Sequence, residues 1–321
     1  SAVAVMSVSD QEITPTVESR VSDSEPSPFV APLDPHAGQT RKQGVDLGVV
    51  LSAAYDDNIF LSDDNAQSDL VLRAAPSIGY RKGDRDTQDG GYLKMAYRPT
   101  GVVYTQGNSD NRVDHEVGLA VGVRGKSVAF DYTAAYGKLG DATPDVGQEA
   151  DRQVLDHVVR IAWIPREKLA LELAAGQSIA EYTDKVLLDS RDTFGEIALR
   201  YAYSPKTRVG LVYRAGRFEV DDADDQTYHR VTANMEWQPR EKLRVEVAAG
   251  GEKRKYSAGS SVTPVLEGRV DWTPSEKTNF YLNAYRRELA SAFSVGQNYR
   301  LTGVSAGVSH KLHDKWSAHL E

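Results

Sequence analysis

The sequence predicts an all-β fold, an antiparallel up-and-down transmembrane β-barrel, and three observations support that prediction. Apolar and polar residues alternate with a period of two from Val45 onward, in segments of about 10 to 14 residues. Short connections built on one sequence plan alternate with longer, acidic ones. Aromatic residues recur where strands end. A barrel whose strands show one face to lipid and one to a polar interior has these three properties.

The alternation gives each predicted strand an apolar face and a polar face. In one strand the apolar and polar residues form two interleaved sets: Val231, Ala233, Met235 and Trp237 against Arg230, Thr232, Asn234 and Glu236. An earlier strand is less regular, and we expect its apolar face to need a one-residue slip after Phe194 to join Ile197, Leu199, Tyr201 and Tyr203.

The short connections form an internal repeat of roughly 35 to 40 residues. Each has an aromatic residue two positions before Pro and a basic residue three positions after it, in residues 163–168, 203–208, 237–242 and 272–277. Because the ring of Pro presets the backbone for the first position of a turn, we expect Pro to lie there.

The chain divides into two predicted parts. Residues 1–44 are polar and rich in Ser, Pro and acidic residues, which predicts a flexible periplasmic N-terminal arm. Residues 45–321 predict the barrel, with about 14 visible strands and Trp316 opening another. Since bacterial barrels of this kind have an even number of strands, we expect 16 or 18 in the complete protein, with the C-terminal strands missing from this sequence. The short turns and the N-terminus are then periplasmic, and the acidic loops lie outside the cell.

Two sets of residues favour lipid over a soluble core around the strands. Aromatic residues before the short turns predict a periplasmic aromatic girdle of Trp163, Tyr203, Trp237 and Trp272. The charged residues that alternate with apolar neighbours are too numerous for a dry core, and we expect them to face a lumen. They are Asp131, Asp156, Arg160, Glu172, Arg200, Arg208, Arg214, Arg230, Glu236, Arg244, Glu246, Glu267, Arg269 and Asp271. A soluble β-repeat protein is the alternative reading.

Composition excludes several function classes. The chain has no Cys, which excludes disulfides, thiol catalysis and cysteine-bound metals. A net charge of -8 without clusters of Lys and Arg argues against nucleic acid. The seven His show no metal-binding spacing except the loose pair His310 and His313 beside a turn, and no nucleophile elbow or phosphate loop is present. We therefore expect neither an enzyme, nor a metal site, nor a cofactor.

One motif carries a resemblance to a known family. Tyr55, Asp56, Asp57, Asn58, Ile59 and Phe60, at the end of the first predicted strand, resemble the aromatic-x-Asp-Asn-Ile-Phe element of the β-barrel porin type 2 family. The repeated hairpins extend the likeness over residues 45–321. The resemblance implies a Gram-negative outer-membrane barrel, in some members associated with secretion of exopolysaccharide, and it implies no catalytic residue.

These observations lead to one functional hypothesis and two alternatives. The first is an outer-membrane channel that serves as the exit for an exported polysaccharide, with Tyr281 and Tyr285 as lumen-facing stacking surfaces for sugar rings. The alternatives are a docking barrel with a plugged lumen that anchors a surface assembly, and a general diffusion porin. The expected partners are outer-membrane lipid and a periplasmic polysaccharide-export protein that contacts residues 1–44.

Overall fold

In a computed structural model of the chain, the described residues form sixteen antiparallel strands. The structure describes residues 2–9, 43–59, 66–83, 90–107, 110–141, 149–184, 186–221, 224–257, 259–290, 298–313 and 316–320. The strands of this described part are β1 Ala2–Ser9, β2 Gln43–Asp56, β3 Asp69–Lys82, β4 Gly90–Tyr104, β5 Arg112–Arg124, β6 Val128–Leu139, β7 Arg152–Arg166, β8 Leu169–Tyr182, β9 Ser190–Ser204, β10 Thr207–Val220, β11 Gln226–Arg240, β12 Leu243–Tyr256, β13 Gly259–Ser275, β14 Thr278–Ala290, β15 Asn298–His313 and β16 Trp316–Leu320.

The strands form one closed barrel in which each pairs with its neighbours in sequence, and β1 pairs with β16. The up-and-down antiparallel topology predicted from the alternation is confirmed. The 14 predicted strands correspond to β2 to β15, and the strand predicted to open at Trp316 is β16. The described residues contain no helix long and apolar enough to cross a membrane.

The first strand corrects the prediction of an N-terminal arm and takes part in closing the barrel. Residues 2–9 are strand β1, so the predicted arm over residues 1–44 is wrong for them and for Gln43 and Gly44, while residues 1 and 10–42 lie outside the described part. The described strands form a closed barrel of sixteen, one of the two strand numbers predicted for the complete protein. The place next to β16 is taken by β1, with Ala4 opposite Leu320, because the short alternating segment there pairs with both neighbours.

The direction of β1 also separates two predictions that were made together. Ala2 lies opposite Tyr55 and Ser9 opposite Gly48, so the chain starts at the rim of the long connections. The short turns lie at the other rim, where β2 begins. Ala2 and the short turns therefore lie at opposite rims of the described barrel, and the periplasmic location of the N-terminus stays a prediction.

Side chains alternate strictly between an inner and an outer face along each strand. In β9, Ile197, Leu199 and Tyr201 are exposed on the outer face, whereas Phe194 and Glu196 are buried on the inner one. The predicted slip after Phe194 is wrong. The pairing of β9 with β10 runs without a shift from Ser190 to Ala202, and an aromatic ring is accommodated among the polar residues of the inner face.

The short turns differ from the prediction in where they place Pro. The tips after β7, β11 and β13 are the pairs Glu-Lys at 167–168, 241–242 and 276–277, and Pro165, Pro239 and Pro274 are still within their strands. The register with the next strand shifts at each of these prolines. A bulge leaves a residue unpaired, which suits Pro because it has no N–H to donate. Pro205 is the exception among the four repeated prolines, because it lies in the turn itself, at residues 205–206.

Small clusters of buried apolar residues lie on the inner face near the long connections. Ile59 packs with Val71, Val102 and Tyr104 at one position around the rim. A second cluster consists of Leu139, Ala150, Val154, Ala180, Tyr182 and Leu187. Between these clusters and the short turns, the inner face combines charged residues such as Arg214 and Glu246 with small apolar residues such as Ala198 and Ala248.

Candidate functional site

The inner wall of β9 to β13 carries rows of charged residues that run across the strands. One row is formed by residues directly opposite one another on four successive strands, in the order Glu196, Arg214, Arg230, Glu252. The second row lies closer to the short turns and has each charge sign exchanged, in the order Arg208, Glu236, Glu246, Arg269. Each like-charged pair is thus flanked by the opposite charge on both sides, which compensates its repulsion.

Arg214 is held from two sides. Its Nε and Nη2 donate to Glu196 Oε2 at 3.0 and 2.7 Å. Its Cζ lies 4.1 Å from the centroid of the Phe194 ring, so the guanidinium covers that ring. Arg214 is only 3% exposed, and its charge therefore depends on Glu196 for compensation.

Glu252 joins two arginines at the other end of the same row. Its Oε2 accepts from Arg230 Nε at 2.8 Å, and its Oε1 accepts from Arg254 Nε at 2.8 Å. Arg254 also donates to Gln226 Oε1 at 3.4 Å. All four residues are buried, so this network fixes the inner faces of β11 and β12 to each other.

A similar bridge connects the strands nearer the short turns. Arg244 Nη2 lies 3.1 Å from Glu236 Oε1 and 2.7 Å from Glu246 Oε1. On β13, Arg269 donates to both carboxylate oxygens of Asp271, at 2.6 and 2.8 Å. Fork-to-fork pairs of this kind hold both side chains in one orientation.

Every residue predicted to face a lumen lies at an inner position of its strand. Asp131 is buried and accepts from the Tyr92 hydroxyl at 2.6 Å, and Arg200 Nε lies 2.8 Å from Glu172 Oε1. Arg208 is the most exposed of the paired residues, with 66% of its side chain accessible and Glu236 at 3.6 Å. The remaining members are partly or fully buried on the same face, namely Asp156, Arg160, Glu267, Tyr281 and Tyr285.

The prediction missed inner residues of the same kind. Glu252, Arg254 and Gln226 extend the network described above. On the opposite part of the wall, Arg81 pairs with Asp46 at 3.0 Å and Arg98 Nε donates to Glu116 at 2.6 Å. The strict alternation would have found all of them, because each lies an even number of residues from an inner position of its strand.

Five inner aromatic rings each lie against a glycine directly opposite on the neighbouring strand. A Cβ added to Gly122 would come within 2.6 Å of the Tyr92 ring, and one added to Gly176 within 2.8 Å of the Phe194 ring. The five aromatic–glycine pairs are Tyr92–Gly122, Phe194–Gly176, Tyr228–Gly216, Tyr281–Gly307 and Tyr285–Gly303. The ring covers a backbone that would otherwise lack side-chain packing, as in aromatic rescue of glycine.

The outer wall has aromatic residues at two heights. The four predicted girdle residues, Trp163, Tyr203, Trp237 and Trp272, are exposed on the outer face next to the short turns. The structure adds a second set toward the long connections. There the hydroxyl oxygens of Tyr213 and Tyr97 lie 2.7 and 2.9 Å from the Nδ1 atoms of His229 and His115, respectively. The sequence could have predicted this second set from a Tyr and a His at diagonal positions on neighbouring strands.

The spacing of these two sets matches a membrane. Trp237 lies opposite Thr207 and His229 opposite Ala215, so eight residues of β10 separate the two heights. This is about 26 Å along the strand, or about 20 Å of height at a strand tilt of about 40°, close to the apolar band of about 25 Å in such barrels. The apolar residues between them, including Leu211, face outward and are exposed, which is the band a bilayer requires.

The family-like motif folds the chain inward at the end of β2. Asp56 Oδ1 accepts from the backbone N–H of Asn58 at 3.0 Å, and Ile59 N–H donates to Gln67 O at 2.9 Å. These bonds turn the chain so that Ile59 is buried, while Tyr55 remains exposed on the outer face. Asp57 follows the strand, and Phe60 lies outside the described residues.

Within the described part of the chain, no three His, Asp or Glu residues are grouped to hold a metal ion. Glu196, Glu252 and Glu246 of the inner wall each have an arginine partner. What the inner wall offers chemically is a polar surface with its charges neutralised locally.

No family model matches the chain, and no curated protein matches its sequence. Among solved structures, it is similar to a bacterial polysaccharide outer membrane secretin, with a TM-score of 0.53 and 9% identity over 99% of this chain and 96% of that chain. OmpT of Vibrio cholerae matches at a TM-score of 0.42 and 10% identity, over 88% of this chain and 98% of that chain. The wall geometry and the first of these similarities give the chain the fold of a bacterial outer-membrane β-barrel.

Proposed function

We propose that the protein is an outer-membrane channel through which a polysaccharide leaves the cell. The observation that supports it best is the inner wall, which is polar and paired in charge over β9 to β13 beneath an apolar outer wall. A hydrated polymer needs such a wall, because it can exchange hydrogen bonds along the wall without being held at one strong charge.

The local pairing of charges also bears on what passes through. Arg214 pairs with Glu196, Arg244 with Glu246, and Arg269 with Asp271, so each cation has a carboxylate on its own or a neighbouring strand. A wall of this kind produces a weak field across the lumen compared with one whose cations and anions lie on opposite sides. We expect weak selection between small cations and anions.

Two similarities support a polysaccharide as the polymer. The solved structure with the similar fold is described as a polysaccharide outer membrane secretin. The motif of residues 55–60 resembles that of the β-barrel porin type 2 family, some members of which are associated with exopolysaccharide secretion. In this proposal the short turns face the periplasm and the long acidic connections face outward, as in other outer-membrane barrels.

The proposal is tested in two steps with the full chain. The folded protein is first identified by fractionation with the outer membrane and by heat-modifiable migration on a gel. The same material is then inserted into planar lipid bilayers, where discrete conductance steps with a reversal potential close to zero in a salt gradient are expected. Folded protein that gives no conductance would overturn the channel proposal.

A second candidate, the docking barrel with a plugged lumen, is favoured by the burial of the inner wall. Glu252 is 2% exposed and Ala198 is fully covered, so their neighbours leave little of this part of the wall accessible. Absence of conductance together with loss of a surface assembly in a deletion strain would select this candidate. Conductance without any interaction with polymer would select a general diffusion porin.

The proposed periplasmic partner is an export protein that binds the segment between β1 and β2. Ser9 and Gln43 flank this segment near the rim of the short turns. Removing residues 15–38 should abolish export while the barrel still inserts and migrates as a folded protein. Normal export from that variant would exclude the segment as a docking element.

A further inference from the structure

We propose that the inner face of β14 and β15 is a binding site for an uncharged oligosaccharide chain. The inference rests on the proposed function, since it names the class of polymer that the channel would accept. It depends on an interruption of the charged wall, on the orientation of two tyrosine rings, and on their difference from the other inner aromatic residues.

The charged rows of the inner wall do not continue across the middle of β14 and β15, and the next inner charge on β15 is Lys311, two residues beyond Ser309. Strand β13 places Glu267, Arg269 and Asp271 on the inner face, opposite Tyr285, Asn283 and Tyr281 of β14. From Asn279 to Tyr285 and from Leu301 to Ser309, the inner positions of β14 and β15 carry no charge. They are Asn279, Tyr281, Asn283, Tyr285, Leu301, Gly303, Ser305, Gly307 and Ser309, which we call the neutral strip.

The chemistry of the neutral strip matches that of a sugar. Asn283 lies opposite Ser305, and its Nδ2 donates to Ser305 Oγ at 3.5 Å. Amides and hydroxyls of this kind both donate and accept hydrogen bonds, as sugar hydroxyls do. The tyrosines contribute aromatic faces, which pack against the C–H face of a sugar ring by dispersion and burial of apolar surface. An anionic polymer would find no cation among the described residues of the neutral strip.

The glycines set the orientation of the two rings. Tyr281 lies opposite Gly307, and a Cβ at that glycine would come within 2.5 Å of three atoms of the ring. Tyr285 has the same relation to Gly303. Because each ring covers the backbone of β15 with one face, it lies along the wall and turns its other face away from the wall, toward the interior of the barrel.

The other three aromatic–glycine pairs are covered by side chains. Arg214 lies 4.1 Å above the Phe194 ring, and Arg254 lies 5.2 Å from the Tyr228 ring, which is 1% exposed. Tyr92 is buried and donates to Asp131. Tyr281 and Tyr285 remain partly exposed, with Arg269 at 5.9 Å from the Tyr281 centroid. The ring is therefore buried in three of these pairs and partly exposed in the other two.

The two partly exposed rings lie four residues apart on one strand, a separation of about 13 Å. A single sugar is too short to contact both rings, whereas a short linear chain can do so. The neutral strip should therefore bind an oligosaccharide more tightly than its monosaccharide.

Calorimetric titration of the full chain in detergent tests this inference, with maltohexaose as the neutral probe, glucose as the monosaccharide and oligogalacturonate as the anionic probe. We expect maltohexaose to bind, and the other two to bind at least about ten-fold more weakly. Tyr281→Leu and Tyr285→Leu should each weaken maltohexaose binding about ten-fold through loss of one stacking contact. Equal binding of the anionic probe, or no binding of maltohexaose, would overturn the inference.

Phe194→Leu is the matched control, because it alters an aromatic–glycine pair whose exposed face is already covered by Arg214. It should leave maltohexaose binding unchanged. Asn283→Asp provides a second variant that keeps both rings, and its added charge should also weaken binding. Unchanged binding in the two tyrosine variants would overturn the inference even if the protein conducts. Binding by a protein that does not conduct would overturn the channel proposal alone.

Discussion

Removing the carboxylate of Glu196 should destabilise the barrel much more than removing an exposed carboxylate. Glu196→Met leaves the Arg214 guanidinium without the two hydrogen bonds at 3.0 and 2.7 Å, and next to Arg230 in the same row. Breaking one side of a buried ion pair costs about 3 to 5 kcal/mol. Because some water reaches a polar wall, we expect about 3 kcal/mol, at the low end of that range.

A double variant tests whether the unpaired Arg214 charge causes the loss of stability in Glu196→Met. In Glu196→Met with Arg214→Met, both charges are gone, and a methionine side chain can still pack on the Phe194 ring. Replacement of a buried ion pair by apolar side chains of similar volume is often nearly neutral. The double variant should therefore lose about 1 kcal/mol or less, giving a coupling energy of about 2 kcal/mol or more.

The assay is urea unfolding of the protein folded into lipid vesicles, followed by tryptophan fluorescence and by heat-modifiable migration. Glu219→Met is the control, because Glu219 and Arg217 form an exposed pair at 3.3 Å and such pairs contribute about 0 to 1 kcal/mol. A single Glu196 variant no less stable than this control would refute the reasoning. Additive losses in the double variant would refute it as well.

Two further predictions concern the outer wall and the glycines. Leu211 lies midway between the two aromatic heights and is 54% exposed, so Leu211→Arg should cost about 2 to 4 kcal/mol of stability in vesicles. The matched Val262→Arg lies near the rim and should cost about 0 to 1 kcal/mol; equal costs would contradict the position of the membrane. Gly216→Ala should cost about 1 to 3 kcal/mol because its Cβ would enter the Tyr228 ring. Gly195→Ala, with nothing within 4 Å, should be neutral or slightly stabilising in the same unfolding assay.

Local patterning was sufficient to predict the fold class and the two faces of the wall. Side chains alternate along any strand, so Arg230 and Glu236 could be placed on one face and Val231 on the other without knowledge of their neighbours. The aromatic residues before the short turns were predictable for the same reason. The position of Pro165 was not, because whether it lies in the turn or in a bulge depends on the register with β8.

The partners within the wall were decided by the tertiary structure. Glu196 and Arg214 are 18 residues apart, and they meet because β9 and β10 pair in one particular register. A register shifted by one residue would place the apolar residues of one strand opposite the polar residues of the next. Likewise, Tyr281 and Tyr228 are both inner residues opposite a glycine, but the neighbouring strands leave the first ring partly exposed and bury the second. The sequence by itself determined the faces, which follow from a period of two along one strand; contacts between strands were decided by register, which only the assembled barrel defines.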